Sequence, residues 1–448
     1  MPHLVPTRDL SLLVDLYELS MAQAYWARDM RGEATFSLFF RKMPSERNFV
    51  LACGQQALAE ILADLRFAPE HLQRLEHLKL FKPEFLRWLE EFRFSGRLRA
   101  LPEGTPVFPN EPLMEIDAPI AEAQLLESLV MNYVHLETVL ASQAARMVLA
   151  ARGRPLVDFG MRRMHGLDAA YRGVRAYRIA GLAGTSNVLA GQDFGLPVRG
   201  TMAHSFVQAC SNQMEAFKTY ARLYPGTALL VDTYDTREAV NQIVDWLEKD
   251  PDAEIGAIRL DSGDLLAESR YCREVLDQAG FERIRILASG GLDEYRIHEL
   301  LDQGAPIDGF GVGTALGTGG EAPNLDLAYK LTQYQGQPSM KRSPGKASYP
   351  GPKQVYRTTD AEGRYAGDQI THQDEKAPGE PLLRTTMSEG QPVPNAMDSL
   401  EETVERTREA LERLPEALQG LWRNSNAYPV TVSKRLQQLR IQCIDRPN

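Results

Sequence analysis

Within six residues, Arg259–Asp264 (RLDSGD), the chain sets one guanidinium and two carboxylates at the end of a short apolar run. Asp261 and Asp264 can accept ribose hydroxyls or hold a hydrated Mg²⁺ beside a polyphosphate. The competing use is structural, with Asp261 or Ser262 capping the next helix and Arg259 as its ion-pair partner. Asp232–Thr236 (DTYDT) offers a second carboxylate pair, Asp232 and Asp235, and an N-cap accounts equally well for Asp235. His204 lies among small residues in GTMAHSF. An imidazole there is an acid, a base or a nucleophile toward phosphorus, or else a hydrogen-bonded structural group. Phe159 and Arg162, in FGMRRMHG, join an aromatic face to guanidinium groups, which suits a flat ring bearing a carboxylate. Two glycine-rich tips, Ser289–Gly291 (SGG) and Gly311–Thr314 (GVGT), let backbone N–H groups close on an anion.

These stretches share one position, because each follows a short apolar segment. Seven such segments occur, at Pro155–Asp158, Arg178–Leu182, Pro197–Arg199, Ala228–Val231, Glu254–Ile258, Ile284–Ala288 and Ile307–Gly309. Amphipathic runs such as Thr236–Lys249 and Leu265–Ala279 fill most of the gaps between them. Strand, tip and return helix, repeated, is the pattern of parallel strands joined by crossovers. Seven repeats predict a closed (β/α) barrel with its chemistry on the loops after the strand ends. Between Pro155 and Tyr329 the only lysines are Lys218 and Lys249, both in helical runs, which argues against a Schiff-base aldolase.

Before the repeats, Ser11–Arg28 has helical spacing, with Tyr17 beside its apolar stripe as a half-buried core residue. Ala34–Phe40 reads as a strand that ends in the basic tip Arg41–Lys42, with Phe49–Cys53 as its expected partner. The expected fold class is α/β, an irregular (β/α) barrel with an N-terminal α/β domain and a small C-terminal module. Its expected domains are residues 1–150, an N-terminal α/β domain with contributions from the C-terminal part; 151–333, the barrel carrying the active site; and 334–448, an irregular β-rich module with C-terminal helices.

The 448 residues are 43% hydrophobic and 25% charged, as in an ordinary globular protein, and the net charge of −10 argues against a nucleic-acid or anionic-membrane surface. Four cysteines without metal-ligand spacing suit a reducing compartment. No signal-peptide pattern and no uncharged apolar run of about 20 residues occurs, so a cytoplasmic protein is expected.

Taken together, DLYELSMAQAYW, FFRKMP, DFGMRRMHG, GTSNVLAG, GTMAHSF, IRLDSGDL, ASGGLDE and FGVGTAL resemble nicotinate phosphoribosyltransferase in order and spacing from Asp15 to Leu316. KQVYR, residues 353–357, is also similar to that family. Quinolinate and nicotinamide phosphoribosyltransferases share the fold. The resemblance implies that nicotinate, phosphoribosyl pyrophosphate and ATP give nicotinate mononucleotide, pyrophosphate, ADP and phosphate, the entry of nicotinate into NAD salvage. Mg²⁺ is the expected cofactor, with Asp232 and Asp261 as its expected ligands, and the resemblance implies a homodimer with shared active sites. His204 corresponds to a histidine that ATP phosphorylates, and Tyr17 to a tyrosine that covers the ring from the other subunit. Phe159, Arg162, Thr201 and Arg259 correspond to nicotinate positions. Arg41, Asp261, Gly290, Gly291, Gly313 and Thr314 correspond to ribose and phosphate positions. Nicotinamide-using relatives carry aspartate where Ser186 stands; a serine near Arg259 suits a carboxylate instead. The alternatives are a nicotinamide enzyme and a non-catalytic binder of NAD metabolites.

Overall fold

In the computed structural model, which describes residues 7–343, 348–424 and 427–446, the chain divides into two units. One contains Met1–Ser142 and Ala322–Asn448, the other Gln143–Glu321.

The first unit is built on the strand Glu33–Phe40 (EATFSLFF). Every residue from Ala34 onward is buried, as befits a strand covered on both faces. It pairs antiparallel with Pro112–Pro119 on one side and with Leu327–Tyr334 on the other. Arg97–Ala100 and then Arg384–Ser388 extend the same sheet. Arg384–Ser388, from the segment after 333, therefore contributes a strand to the sheet that the first hundred residues begin. Phe49–Cys53 behaves differently from expectation. Only Val50–Leu51 is strand, and it pairs with Pro106–Val107 rather than with Ala34–Phe40, both of whose edges are already taken.

Buried ion pairs fasten this unit. Lys353 Nζ lies 3.0 Å from Glu115 Oε1, and Arg357 holds the buried Asp368 carboxylate at 2.6 Å. Both basic residues belong to KQVYR, and losing one partner of such a pair costs about 3–5 kcal/mol. The helix Leu400–Glu412 starts on a capping box. The Ser399 hydroxyl accepts from the Glu402 N–H at 3.2 Å, and the Glu402 carboxylate accepts from the Ser399 N–H at 2.7 Å. Among the described residues, no helix is long and apolar enough to cross a membrane.

The second unit is a parallel sheet of six strands. In spatial order they are Gly184–Thr185, Leu156–Asp158, Gly309–Val312, Arg285–Ala288, Ile255–Leu260 and Thr227–Leu230. Helices Leu167–Ala180, Thr236–Lys249, Leu265–Gln278 and Glu294–Asp302 return the chain between strands. Two expectations change here. Arg178–Leu182 is not strand, because its first residues finish the helix Leu167–Ala180, which stops at Gly181 in the left-handed conformation. The closed barrel is also not formed by the described strands. Pro197–Arg199 supplies a single bridge, Val198 to Thr185, and no pairing joins it to Thr227–Leu230. The chain between them folds into helices His204–Ala209 and Gln213–Leu223 instead of strand, so the sheet stays open.

Candidate active site

Parallel strands send all their C-terminal ends to one edge, so the loops that follow them meet there. Arg259, the penultimate residue of Ile255–Leu260, ties three of these loops together. Its Nε donates to Ser289 Oγ at 2.8 Å, Nη1 to Thr201 Oγ1 at 2.7 Å and Nη2 to Asp261 Oδ1 at 2.7 Å. The guanidinium carbon lies 5.2 Å from the centroid of the Phe159 ring. An arginine has five N–H donors, so three committed bonds leave two for a ligand.

The Phe159 ring has room because residue 311 is glycine. A β-carbon there would stand 2.4 Å from the ring's Cε2. Beneath it, Asp158 is buried and accepts from the Thr185 hydroxyl and the Gly160 N–H, each at 2.7 Å. Burial pushes the Asp158 carboxyl up, and those two bonds oppose the shift.

Asp261 is held as a carboxylate. Burial raises its pKa, but hydrogen bonds from Ser289 and Arg259 and the Arg259 charge outweigh that and bring it below its ordinary value. Its backbone N–H donates to Asp232 Oδ2 at 3.1 Å, which also accepts from the Ser262 hydroxyl. Among the described residues, Asp232 Oδ1 has no hydrogen-bond partner, and Asp261 Oδ2 faces His204 Nε2 at 3.8 Å. Either carboxylate could be one of the one or two that a hydrated Mg²⁺ takes, its other positions filled by water and phosphate oxygens. His204 opens the helix His204–Ala209, and its Nδ1 lies 3.1 Å from Thr233 Oγ1.

The glycine tips take the conformations that favour glycine, with φ of +89° at Gly290 and +65° at Gly291. Gly313 precedes the short helix Thr314–Thr318. Asp235 is an N-cap, accepting from Glu238 N–H, and the cap of Leu265–Gln278 is Asp264, accepting from Leu266 and Ala267 N–H, rather than the expected Asp261 or Ser262. Ser186 is half-buried just past Gly184–Thr185, and its N–H donates to the Asp158 carbonyl at 2.8 Å. Arg162 is exposed in the turn Met161–Arg163.

Tyr17 and Arg41 belong to the first unit. Tyr17 is 44% exposed on the helix Leu16–Ala27 rather than half-buried in a core. Arg41 donates to Asp326 Oδ1 at 2.8 Å, so part of its fork is already engaged. The sequence missed two members of the cluster. Ser289 accepts from Arg259 and donates to Asp261 Oδ1 at 2.5 Å, and Thr233 positions the His204 ring. Both lie in tips that follow strands, yet neither segment names the partner its hydroxyl meets.

The sequence matches the nicotinate phosphoribosyltransferase (NAPRTase) N-terminal domain over residues 12–135 and the NAPRTase family over residues 155–347. A nicotinate phosphoribosyltransferase of Mycobacterium tuberculosis is 48% identical over 427 residues, covering 95% of this chain and 92% of that protein. One from Bacillus subtilis is 38% identical over 385 residues, covering 84% and 79%. The crystal structure of human nicotinic acid phosphoribosyltransferase superposes with a TM-score of 0.83 at 27% identity, covering 96% of this chain and 100% of that one. The chain that carries this Arg259-centred cluster belongs to the nicotinate phosphoribosyltransferase family.

Proposed function

We propose that the protein transfers a phosphoribosyl group from phosphoribosyl pyrophosphate to nicotinate, forming nicotinate mononucleotide for NAD salvage. The observation that carries this is Arg259, tethered on three sides with two N–H groups left beside the Phe159 ring. A planar aromatic acid suits that pair, its ring on Phe159 and its carboxylate on the remaining donors. Asp261, held ionised, can accept ribose hydroxyls. Gly290, Gly291, Gly313 and Thr314 can direct backbone N–H groups to phosphate. In the reaction the pyridine nitrogen bonds to the ribose C1. The bond from C1 to the pyrophosphate oxygen breaks, and its electron pair leaves with pyrophosphate. Mg²⁺ on Asp232 and Asp261 would offset the charge of the departing group.

Turnover is coupled to ATP through His204. An imidazole nitrogen takes the γ-phosphoryl group, ADP leaves, and water later releases phosphate from the histidine. Supporting this are the partly exposed ring and the small neighbours Gly200, Thr201, Ala203 and Ser205. The enzyme works as a homodimer in which Tyr17 covers the ring bound in the partner; the exposure of Tyr17 supports this. A cytoplasmic setting fits four free cysteines.

Product analysis with nicotinate and nicotinamide, each with and without ATP, tests the reading. Nicotinate mononucleotide, stimulated by ATP, is expected. Preferential conversion of nicotinamide would overturn the substrate assignment, and absence of both products would overturn the activity.

A further inference from the structure

The first unit holds a cavity of about 520 Å³ that the proposed reaction does not use. Its size lies within the ~300–1,000 Å³ of small-molecule sites. One wall is Tyr365, whose ring carries two guanidinium groups, with Arg357 Cζ at 4.6 Å and Arg413 Cζ at 4.8 Å from the centroid. The two arginines are not equivalent. Arg357 is buried, with Nε and Nη2 bonded to both oxygens of Asp368 and Nη2 also to the Pro106 carbonyl. Arg413 is exposed and donates only Nε, to the Gly363 carbonyl at 3.0 Å, so its Nη groups have no hydrogen-bond partner among the described residues.

Arg384 also lines the cavity and comes no closer than 3.8 Å to Glu380 and 3.9 Å to Asp398. Those separations exceed a hydrogen bond, so the fork has ion-pair neighbours but no hydrogen-bond partner among the described residues. Glu380 and Glu409 line the same space. A bare phosphate or polyphosphate would meet these carboxylates as like charges. A ligand with one anionic end and hydroxyl donors would use both signs. Arg413, with its Cζ over the Tyr365 ring, offers a guanidinium plane on which an aromatic base can stack.

We propose that this cavity is a binding site for a nucleoside monophosphate, with its phosphate on Arg384 and Arg413, its ribose hydroxyls toward Glu380 and Glu409, and its base against the Arg413 plane. The site is made wholly from residues of the first unit, whereas the Arg259 cluster belongs to the second.

Calorimetric titration of the full-length protein with adenosine monophosphate, ribose 5-phosphate and inorganic phosphate tests this. Adenosine monophosphate should bind best. Its affinity should fall roughly tenfold or more in Arg413→Ala and in Arg384→Gln, the loss of a charge-assisted bond. Arg259→Ala should leave that affinity in place. Both cavity variants change exposed side chains, and thermal unfolding checks that each is folded. Should one of them not fold, the other carries the test. Any of three results overturns the proposal: no binding at millimolar nucleotide, phosphate binding as tightly as the nucleotide, or binding lost in Arg259→Ala but kept in both cavity variants.

Discussion

Gly290 passes so close to Asp261 that a β-carbon on it would stand 1.8 Å from the Asp261 carbonyl oxygen. The loop after Arg285–Ala288 is thereby pressed against the residue that Arg259 and Ser289 hold. Neighbouring Gly291 has nothing within 4 Å of its own imagined β-carbon. The two glycines therefore separate strain from contact. Gly291→Ala should cost only the left-handed backbone, roughly 1–2 kcal/mol of stability. Gly290→Ala must also displace Asp261, and a misplacement near 1 Å can cost about 100-fold in rate. Measured kcat/KM and unfolding midpoints should show Gly290→Ala losing activity far beyond its loss of stability. Equal, mild effects from both substitutions would remove the loop contact from the argument.

Much of this site is legible in sequence because its residues announce themselves locally. Arg259, Asp261 and the glycines each close an apolar segment, and the chain direction of parallel strands gathers such ends. Ser289 and Thr233 are silent in sequence because a hydroxyl takes its role from whatever stands opposite, here Arg259 and His204 from distant segments. Long-range pairing is hidden for a similar reason. Nothing within Arg384–Ser388 says that its partner is Arg97–Ala100, nearly three hundred residues earlier. The closed barrel was inferred from counting apolar segments, and Arg178–Leu182 shows the weakness of that count. A short apolar run at a helix end and a buried strand have the same composition.

Glu18 gives the first unit a pH dependence of stability. Ser128 donates its N–H, at 2.9 Å, and its hydroxyl to Glu18 Oε1, while Oε2 is buried with no partner among the described residues. Burial pushes the carboxyl from 4.5 up to about 7, against the pull of the Ser128 bonds. A raised carboxyl means the folded state holds its proton more tightly. Its contribution to stability is complete below the unfolded value and is lost as pH rises through about 7. Glu18→Gln has no such proton. From pH 5 to pH 8 the wild-type unfolding temperature should fall relative to that of the variant. Parallel temperature–pH curves for the two proteins would rule Glu18 out as the source.

Substrate choice should respond to charge at residue 186. Ser186 sits beside Asp158, whose carbonyl takes its N–H. In Ser186→Asp a second carboxylate would face the nicotinate carboxylate in a partly desolvated place. Nicotinate kcat/KM should drop by at least about tenfold, the effect of roughly 1.4 kcal/mol, while the KM for phosphoribosyl pyrophosphate changes little. Unaltered nicotinate kinetics would show that residue 186 does not face the substrate acid.

The proposed sharing of sites between subunits can be tested by complementation. Tyr17→Ala and Arg259→Ala chains should each be nearly inactive alone. After subunit exchange, a hybrid dimer carries one site with both Tyr17 and Arg259 intact, so activity should return to about a quarter of wild type for random pairing with one good site in half the dimers. Exchange proved by tagged chains, with no recovery, would mean that Tyr17 serves its own subunit.

The role of His204 separates two chemistries that share one cluster. Displacement at the ribose relies on Arg259, Asp261 and the glycine tips, none of which needs a phosphorylated imidazole. Coupling to ATP needs a nitrogen that can bond to phosphorus, and an imidazole offers one. Asparagine at 204 can keep a hydrogen bond to Thr233 but cannot carry the phosphoryl group. His204→Asn should therefore abolish ATP hydrolysis and the acid-labile incorporation of labelled γ-phosphate. Nicotinate mononucleotide should still form slowly, at a rate indifferent to ATP. Thr233→Ala makes a graded companion, because it removes the Nδ1 partner at 3.1 Å and leaves the imidazole in place. It should weaken labelling without eliminating it. If His204→Asn takes up label as the wild type does, the phosphoryl acceptor is another residue, and the imidazole serves only to brace the Thr233 and Asp261 loops.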